Sequence, residues 1–305
     1  VRIVVALGGN ALLERGEPAE AFVQRGHARQ AAQALAPLAA EHELVICHGN
    51  GPQAGILAME SESDKTLAQP YPLDVIGAQT QGMIGYWLVQ ELHNAGLAKP
   101  VIAVVTQTVV DSSDPAFAAP AKFIGRGYQH RRAKTLAERG GWHIAADGGL
   151  WRRVVASPEP VRLVELPVIR WLVDQGAVVV CAGGGGVPVV EEADDARLTG
   201  TAAVVDKDLT AALVASRIGA DRFLVLTDVP AVMRGWGTPD AEPITTIDLA
   251  GLDGMTFPAG SMGPKVEACA RFVRASGRPA AIGSLPDAAA LLDGTAGTTI
   301  TAALS

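Results

Sequence analysis

The sequence is poor in cysteine, aromatic residues, lysine and long apolar runs, and each shortage closes off a class of function. Its three cysteines, Cys47, Cys181 and Cys269, lie far apart with no C-x-x-C pair. That leaves no disulfide framework and no cysteine zinc site, and it suits a reducing, cytoplasmic setting. Cys47 and Cys181 each close an apolar run and read as small buried hydrophobes. Aromatic residues make up 5% of the chain, which provides no stacking platform for bases. A net charge of −7 also argues against nucleic acid and anionic membrane partners. No apolar run approaches the roughly 20 residues that span a bilayer. The first residues carry neither the basic segment nor the apolar core of a secretory signal, so no targeting segment is expected.

Familiar catalytic signatures are missing too. No Gly-Lys pair occurs, so there is no Walker A loop. There is no H-E-x-x-H and no metal-spaced Cys/His cluster, so no protein-held metal is expected. Gly260-Ser261-Met262-Gly263 falls one residue short of G-x-S-x-G and has no strand before it. The six histidines are scattered; His48 alone borders a motif and reads as a hydrogen-bonding loop residue.

What is present begins with Val1–Leu7, a Val/Ile-rich run of strand length that reads as a strand buried on both faces. It stops at Gly8-Gly9-Asn10, where the backbone can come close to a ligand. The pattern of apolar strand and glycine turn then returns. Glu43–Cys47 leads into His48-Gly49-Asn50-Gly51-Pro52-Gln53, with a helix expected from Pro52. Ala177–Cys181 leads into Gly183-Gly184-Gly185-Gly186, four glycines that packing alone does not justify. Helices are expected over Ala19–His42, interrupted at Pro37, and over Asp74–His93, Val161–Gln175 and Leu209–Ile218. Another helix is expected from the Gly260–Lys265 motif to about Ala275. Strands are expected over Pro100–Val110, Arg222–Thr227, Pro279–Ile282 and Gly297–Thr301, with a polar loop at Glu191–Gly200. This alternation predicts an α/β fold with a mostly parallel sheet covered on both faces, whose ligand edge carries the glycine turns. At 305 residues, 49% of them apolar, the chain can form one large domain or two lobes.

Gly49–Ala54 also fits G-x-G-x-x-A, the dinucleotide pattern, with Asp74 about 20 residues on. Asp74 follows Pro72-Leu73 at a helix start and reads better as an N-cap. A phosphate or carboxylate held by backbone N–H groups is the better reading of the turn.

Lysine is the informative scarcity. The chain has six Lys against 19 Arg, so each Lys hints that a compact ammonium is needed. Three of the six sit in motifs: Lys122 in Pro120–Gly125, Lys207 in Asp206-Lys207-Asp208, and Lys265 in Gly260–Lys265. Asp111–Pro160 interrupts the alternation, is rich in Pro and Gly, and carries eight Lys/Arg against five Asp/Glu. It reads as an inserted lid whose Lys122, flanked by Pro and Gly, could reach an anionic substrate; Arg152 and Arg153 could do the same, but for the arginines a solvated basic excursion is the favoured reading. Glycine turns, three lysines and paired aspartates, with no nucleophile, suit phosphoryl transfer by positioning and charge neutralisation. The donor would be a nucleotide with Mg²⁺ and the acceptor would be small.

Taken together, several motifs resemble those of the carbamate kinases in the amino-acid-kinase superfamily. They are Leu7–Asn10, His48–Gln53, Gln81–Tyr86, Pro120–Gly125, Val154–Pro158, Gly183–Pro188, Val205–Asp208 and Gly260–Lys265, in one order over nearly the whole chain. The resemblance implies a three-layer αβα sandwich with an open, mostly parallel sheet and a protruding subdomain at 111–160. It implies an acceptor lobe at 1–200, a nucleotide lobe at 201–305 and a homodimer. The implied reaction is ATP + carbamate ⇌ ADP + carbamoyl phosphate, often run towards ATP at the end of arginine, allantoin or related carbamoyl catabolism. Carried over by motif, Lys122, Lys207 and Lys265 would surround the transferred phosphoryl. Asp208 would orient them, with Asp206 a weaker candidate. Gly8, Gly9, Asn10, Gly49, Asn50, Gly51, Gly183, Gly184, Gly185 and Gly186 would hold carbamate and phosphoryl oxygens. Thr227, Asp228, Met262 and Lys265 would lie along the nucleotide, and Mg²⁺ would ride on its phosphates. One departure stands out: Arg126 follows Gly125 where the family usually has Pro. Two other readings stay open, a kinase of the same fold acting on another small carboxylate and a non-catalytic nucleotide sensor.

Overall fold

Arg2–Leu7 forms strand β1, and its residues from Ile3 onward have no exposed surface. The structure is a computed structural model that describes residues 1–14, 16–192, 196–238, 240–257 and 261–303, and of Asn10 the backbone alone. After β1 come α1 (Ala21–Glu41), β2 (Glu43–His48), α2 (Gly51–Ser63), α3 (Leu73–Asn94), β3 (Val101–Ala103) and β4 (Gln107–Val109). The insertion holds β5 (Lys122–Tyr128), α4 (His130–Gly140), β6 (His143–Asp147) and β7 (Leu150–Val155). Then follow β8 (Arg162–Leu163), α5 (Leu166–Asp174), β9 (Val178–Cys181), β10 (Val187–Glu191), β11 (Leu198–Gly200), α6 (Lys207–Ile218) and β12 (Arg222–Thr227). The chain ends with β13 (Met233–Arg234), β14 (Glu242–Pro243), β15 (Thr246–Asp248), α7 (Leu249–Asp253), α8 (Met262–Ser276), β16 (Ala280–Ser284), α9 (Ala288–Leu292) and β17 (Thr298–Thr301).

Eight strands make one central sheet in the order β15-β17-β16-β12-β1-β2-β9-β3. All its neighbours are parallel except β16 and β17. The period of 2 along each strand divides the core. Val4, Ala6, Val45, Cys47, Phe223 and Val225 face α5, α6 and α8. Ile3, Val5, Leu7, Leu44, Ile46 and Leu224 face α1, α3 and α9. Each fully buried Leu, Ile or Phe contributes about 1.5–3 kcal/mol. The expected αβα sandwich is therefore the observed one. β1 pairs β2 on one side and β12 on the other, so the ends of β1, β2, β9 and β12 open on one edge. The insertion is a three-stranded antiparallel sheet, β5-β7-β6, carrying α4.

Five expectations need correction. Pro37 does not interrupt the first helix: α1 runs through it from Ala21 to Glu41. The run Pro100–Val110 is two strands in two sheets, β3 at the central edge and β4 in the sheet β11-β10-β4-β8. The break lies at Thr106, whose backbone is clasped by the Gln81 side chain: Thr106 N–H donates to Oε1 at 2.9 Å and Gln81 Nε2 donates to the Thr106 carbonyl at 3.1 Å. Val161–Gln175 begins as β8 paired with β4; its helix starts only at Leu166, where Pro167 is tolerated in the first turn. Glu191–Gly200 contains the β10–β11 antiparallel pairing as well as loop. Asp74 is not an N-cap: Pro72 holds that position, and the Asp74 carboxylate reaches the place that a Cβ on Gly200 would take.

Candidate active site

The glycine turns meet at the sheet edge. Gly8 N–H donates to the Leu226 carbonyl at 2.8 Å, tying the first turn to the end of β12. A Cβ on Gly49 would stand 2.9 Å from Gly9 N and 3.3 Å from Lys207 Cδ, so two turns and a lysine stem share one place. The third turn needs left-handed backbone at Ala182 (φ 51), Gly184 (φ 64), Gly185 (φ 89) and Gly186 (φ 87). Gly183 is required for another reason: a Cβ there would strike the His48 ring at 2.4 Å. Beneath the turn, Thr108 and Thr210 hydroxyls both donate to the Gly185 carbonyl, at 2.7 and 3.1 Å. His48 itself is buried, with Nδ1 2.9 Å from the Gly49 carbonyl, and burial lowers its pKa to about 4. A neutral ring whose Nδ1–H donates to that carbonyl steadies the second turn.

The lysines converge opposite the turns. Lys207 and Asp208 are the first residues of α6, and Asp206 caps it, accepting from Asp208 N–H and Leu209 N–H. Lys207 Nζ donates to Asp208 Oδ1 at 2.6 Å, and Lys265 Nζ, from the first turn of α8, donates to Oδ2 at 3.2 Å. Lys122, from β5, donates to Asp206 Oδ2 at 2.7 Å. Three ammonium groups face two carboxylates, which leaves an excess of one positive charge. Burial works to lower the Lys207 pKa, but Asp208 and Asp206 outweigh it and raise it. Lys265 goes the other way, lowered by burial and by repulsion from Lys207. Burial works to raise the Asp206 pKa, but Lys122 and Lys207 hold it well below the usual carboxylate range.

These groups line a cavity of about 1320 Å³, large enough for a nucleotide beside a small acceptor. Its walls include Gly8, Gly9, Gly49, Asn50, Gly51, Gly184, Gly186, Lys122, Asp206, Lys207, Asp208, Thr227, Asp228, Met262 and Lys265. α2 and α8 both begin on it, at Gly51 and Met262, and neither has a side-chain cap; Pro52 and Pro264 carry no N–H, so the first-turn donors that can meet an anion are those of Gly51, Gln53, Met262 and Gly263. The Asn50 amide instead donates to Thr80 Oγ1 at 2.8 Å. Among the described residues, no three His, Cys, Asp or Glu side chains gather where they could hold a metal ion.

Residues 1–284 match the amino acid kinase family. The chain belongs to that family. It is 50% identical over 307 residues to the carbamate kinase of Rhizobium meliloti, with 100% of this chain and 94% of that one covered. It is 46% identical over 302 residues to the carbamate kinase of Haemophilus influenzae, covering 99% and 97%. The solved carbamate kinase of Giardia lamblia bound to AMP-PNP superposes with a TM-score of 0.89 at 37% identity, covering 98% of each chain. Within the amino acid kinase family the chain thus stands among the carbamate kinases and is a phosphotransferase.

For this carbamate kinase relative, the structure brings most of the sequence-nominated residues to one cavity, but not all. Gly183 and Gly185 lie behind the lining, one packed on His48 and the other accepting from two threonines. The Asn10 side chain and Gly260 lie outside the described residues. Arg152 and Arg153 do not reach the cavity. Arg152 donates to the Gly125 carbonyl and Asp147, and Arg153 pairs with Glu62 and covers the Trp142 ring. Arg126 lies over the Tyr128 ring at 5.0 Å. Sequence reasoning missed an apolar wall formed by Val229, Met233, Trp236, Met255 and Phe257. The one signal for it was Trp236, an aromatic residue set between Gly235 and Gly237.

Proposed function

We propose that the chain transfers a phosphoryl group between ATP and carbamate, forming ATP from ADP and carbamoyl phosphate in the catabolic direction. The observation that carries this reading is the cluster of Lys122, Lys207 and Lys265 on Asp206 and Asp208, facing backbone turns across one cavity. A carbamate oxygen forms the new bond to the γ-phosphorus, and the bond to the β-bridging oxygen breaks, its electron pair staying on ADP. No side chain becomes covalently linked. Lys207 and Lys265, held on one carboxylate, stabilise charge on the transferred phosphoryl and the bridging oxygen, and Lys122 closes on it from the lid. The turns at Gly8–Asn10, Gly49–Gly51 and Gly183–Gly186 shape an acceptor end of backbone, which favours a small planar acid. Thr227, Asp228, Met262 and the apolar wall at Trp236 lie on the nucleotide side. This assigns the acceptor to residues 1–200 and the nucleotide to 201–305.

Mg²⁺ belongs to the same proposal. Both carboxylates at the centre are engaged by lysines, so the donor set fits a cation carried on nucleotide phosphates, where it would neutralise their charge. A homodimer is supported by the open edge of the central sheet. Strand β3 is its last strand, and Ile102, Val105 and Tyr86 of the adjoining α3 are exposed there. An open apolar edge invites pairing, and a second copy would cover it. Three buried free thiols suit a cytoplasmic location. No described helix is long and apolar enough to cross a membrane. The test is luminescent detection of ATP from ADP, Mg²⁺ and carbamoyl phosphate, with acetyl phosphate and a protein-free blank as controls. ATP from carbamoyl phosphate alone supports the proposal; ATP from acetyl phosphate at the same rate contradicts it.

A further inference from the structure

The Asp206 carboxylate is divided between two parts of the molecule. Oδ1 accepts the N–H groups of Asp208 and Leu209 at 2.9 and 3.3 Å, and so fixes the first turn of α6. Oδ2 accepts the Lys122 ammonium, which belongs to the lid. The two residues are 84 positions apart in the chain. A backbone joint runs beside this side-chain contact. Lys122 pairs with Val155 across β5 and β7, and the next residue, Ala156, bridges Ala203 and accepts from Val204 N–H at 2.9 Å. The root of the lid is thus stitched to the chain just before Asp206. Further out, the lid rests on α2, where Gly55 and Gly125 meet so closely that a Cβ on Gly55 would stand 2.7 Å from Gly125 Cα.

We infer that Asp206 is a positioning residue: one carboxylate caps the helix that carries Lys207 and Asp208 and holds the lid lysine in place relative to them. This rests on the kinase reading above. Asp206 touches no reacting atom in this account and acts through Lys122. Both side chains are partly shielded from water, so the ion pair holds more firmly than one at an open surface. The arrangement keeps Lys122 from wandering while the cavity is empty, and it transmits any movement of α6 to the lid.

Serine separates the two duties. In Asp206→Ser the hydroxyl still caps α6 but is too short to hold Lys122. The experiment is a double-mutant cycle on wild type, Asp206→Ser, Lys122→Ala and the double variant. kcat is read for ATP formation from carbamoyl phosphate, and amide hydrogen exchange is read on the ligand-free proteins. Asp206→Ser is expected to lower kcat about tenfold in the wild-type background. In the Lys122→Ala background the loss should be less than about twofold. Exchange across Lys122–Tyr128 should quicken equally in the two single variants, with nothing added in the double, while α6 stays protected. Equal loss of kcat in both backgrounds, or unchanged exchange in β5, would overturn the inference. Wild type that makes no ATP would defeat the kinase reading instead, and the exchange measurement would still decide whether Asp206 holds the lid.

Discussion

Replacing Gly185 with Ala strikes the support of the lysine cluster from behind. The new Cβ would stand 2.5 Å from the Val205 carbonyl oxygen and 2.8 Å from its carbon. Both are backbone atoms, so no side-chain rotation relieves the clash. Gly185 also has φ +89, a region that costs an L-residue about 1–2 kcal/mol. Overpacking in a closed interior adds about 1–3 kcal/mol. The sum, about 2–5 kcal/mol, is a large share of the roughly 5–15 kcal/mol that separates folded from unfolded chains. Activity should suffer as well, because Val205 directly precedes Asp206, and a misplacement of about 1 Å costs roughly 10²-fold in rate. Gly26→Ala is the control. Gly26 lies within α1, has no left-handed φ, and has nothing within 4 Å of a new Cβ. There the substitution should stabilise by about 0.5–1 kcal/mol. Thermal melting followed by circular dichroism, with turnover measured well below each midpoint, checks both. A Gly185→Ala enzyme with wild-type melting and turnover would refute the reasoning.

Two pH effects follow from the buried groups. His48 is held neutral with a pKa of about 4, while an unfolded histidine titrates near 6.5. Between those values the unfolded chain binds the extra proton, so stability falls as pH drops from about 6.5 to about 4, by about 3 kcal/mol in all. Urea midpoints at several pH values should fall less steeply in His48→Gln than in wild type; equal slopes would contradict this. Lys265, lowered by burial and by Lys207, should lose its proton before Lys207, which its two aspartates hold charged. The alkaline fall of kcat therefore belongs to Lys265. Lys265→Arg, slower but always charged, should push that fall to higher pH in a pH–rate profile. An alkaline limb that stays where it was would assign it elsewhere.

Much of this was legible in the chain because the relevant constraints are local. An apolar run ending in glycines names a buried strand and a close backbone approach, and Gly8, Gly49 and Gly184 all stand at the cavity. The scarcity of lysine singled out Lys122, Lys207 and Lys265, which do converge. What stayed hidden depends on distant partners. The break between β3 and β4 is set by Gln81, on a helix that precedes both. The weight of Asp206 appears only when a lysine from the lid arrives at its second oxygen. The apolar wall is assembled from the two-residue strand β13 and loop residues after β12, segments too short for periodicity to mark a face. Arg152 and Arg153 stay out of the cavity, as the favoured reading of the insertion had them, but their partners, carboxylates, a carbonyl and aromatic rings, could not be read from the chain.

The most direct test of the central claim is ATP formation from ADP, Mg²⁺ and carbamoyl phosphate by wild type and Lys207→Ala side by side. The lysine cluster predicts rapid ATP production by wild type and a loss of about 10²–10³-fold in the variant, with its fold retained. Wild type that binds nucleotide yet forms no ATP, or a Lys207→Ala enzyme as fast as wild type, would contradict it.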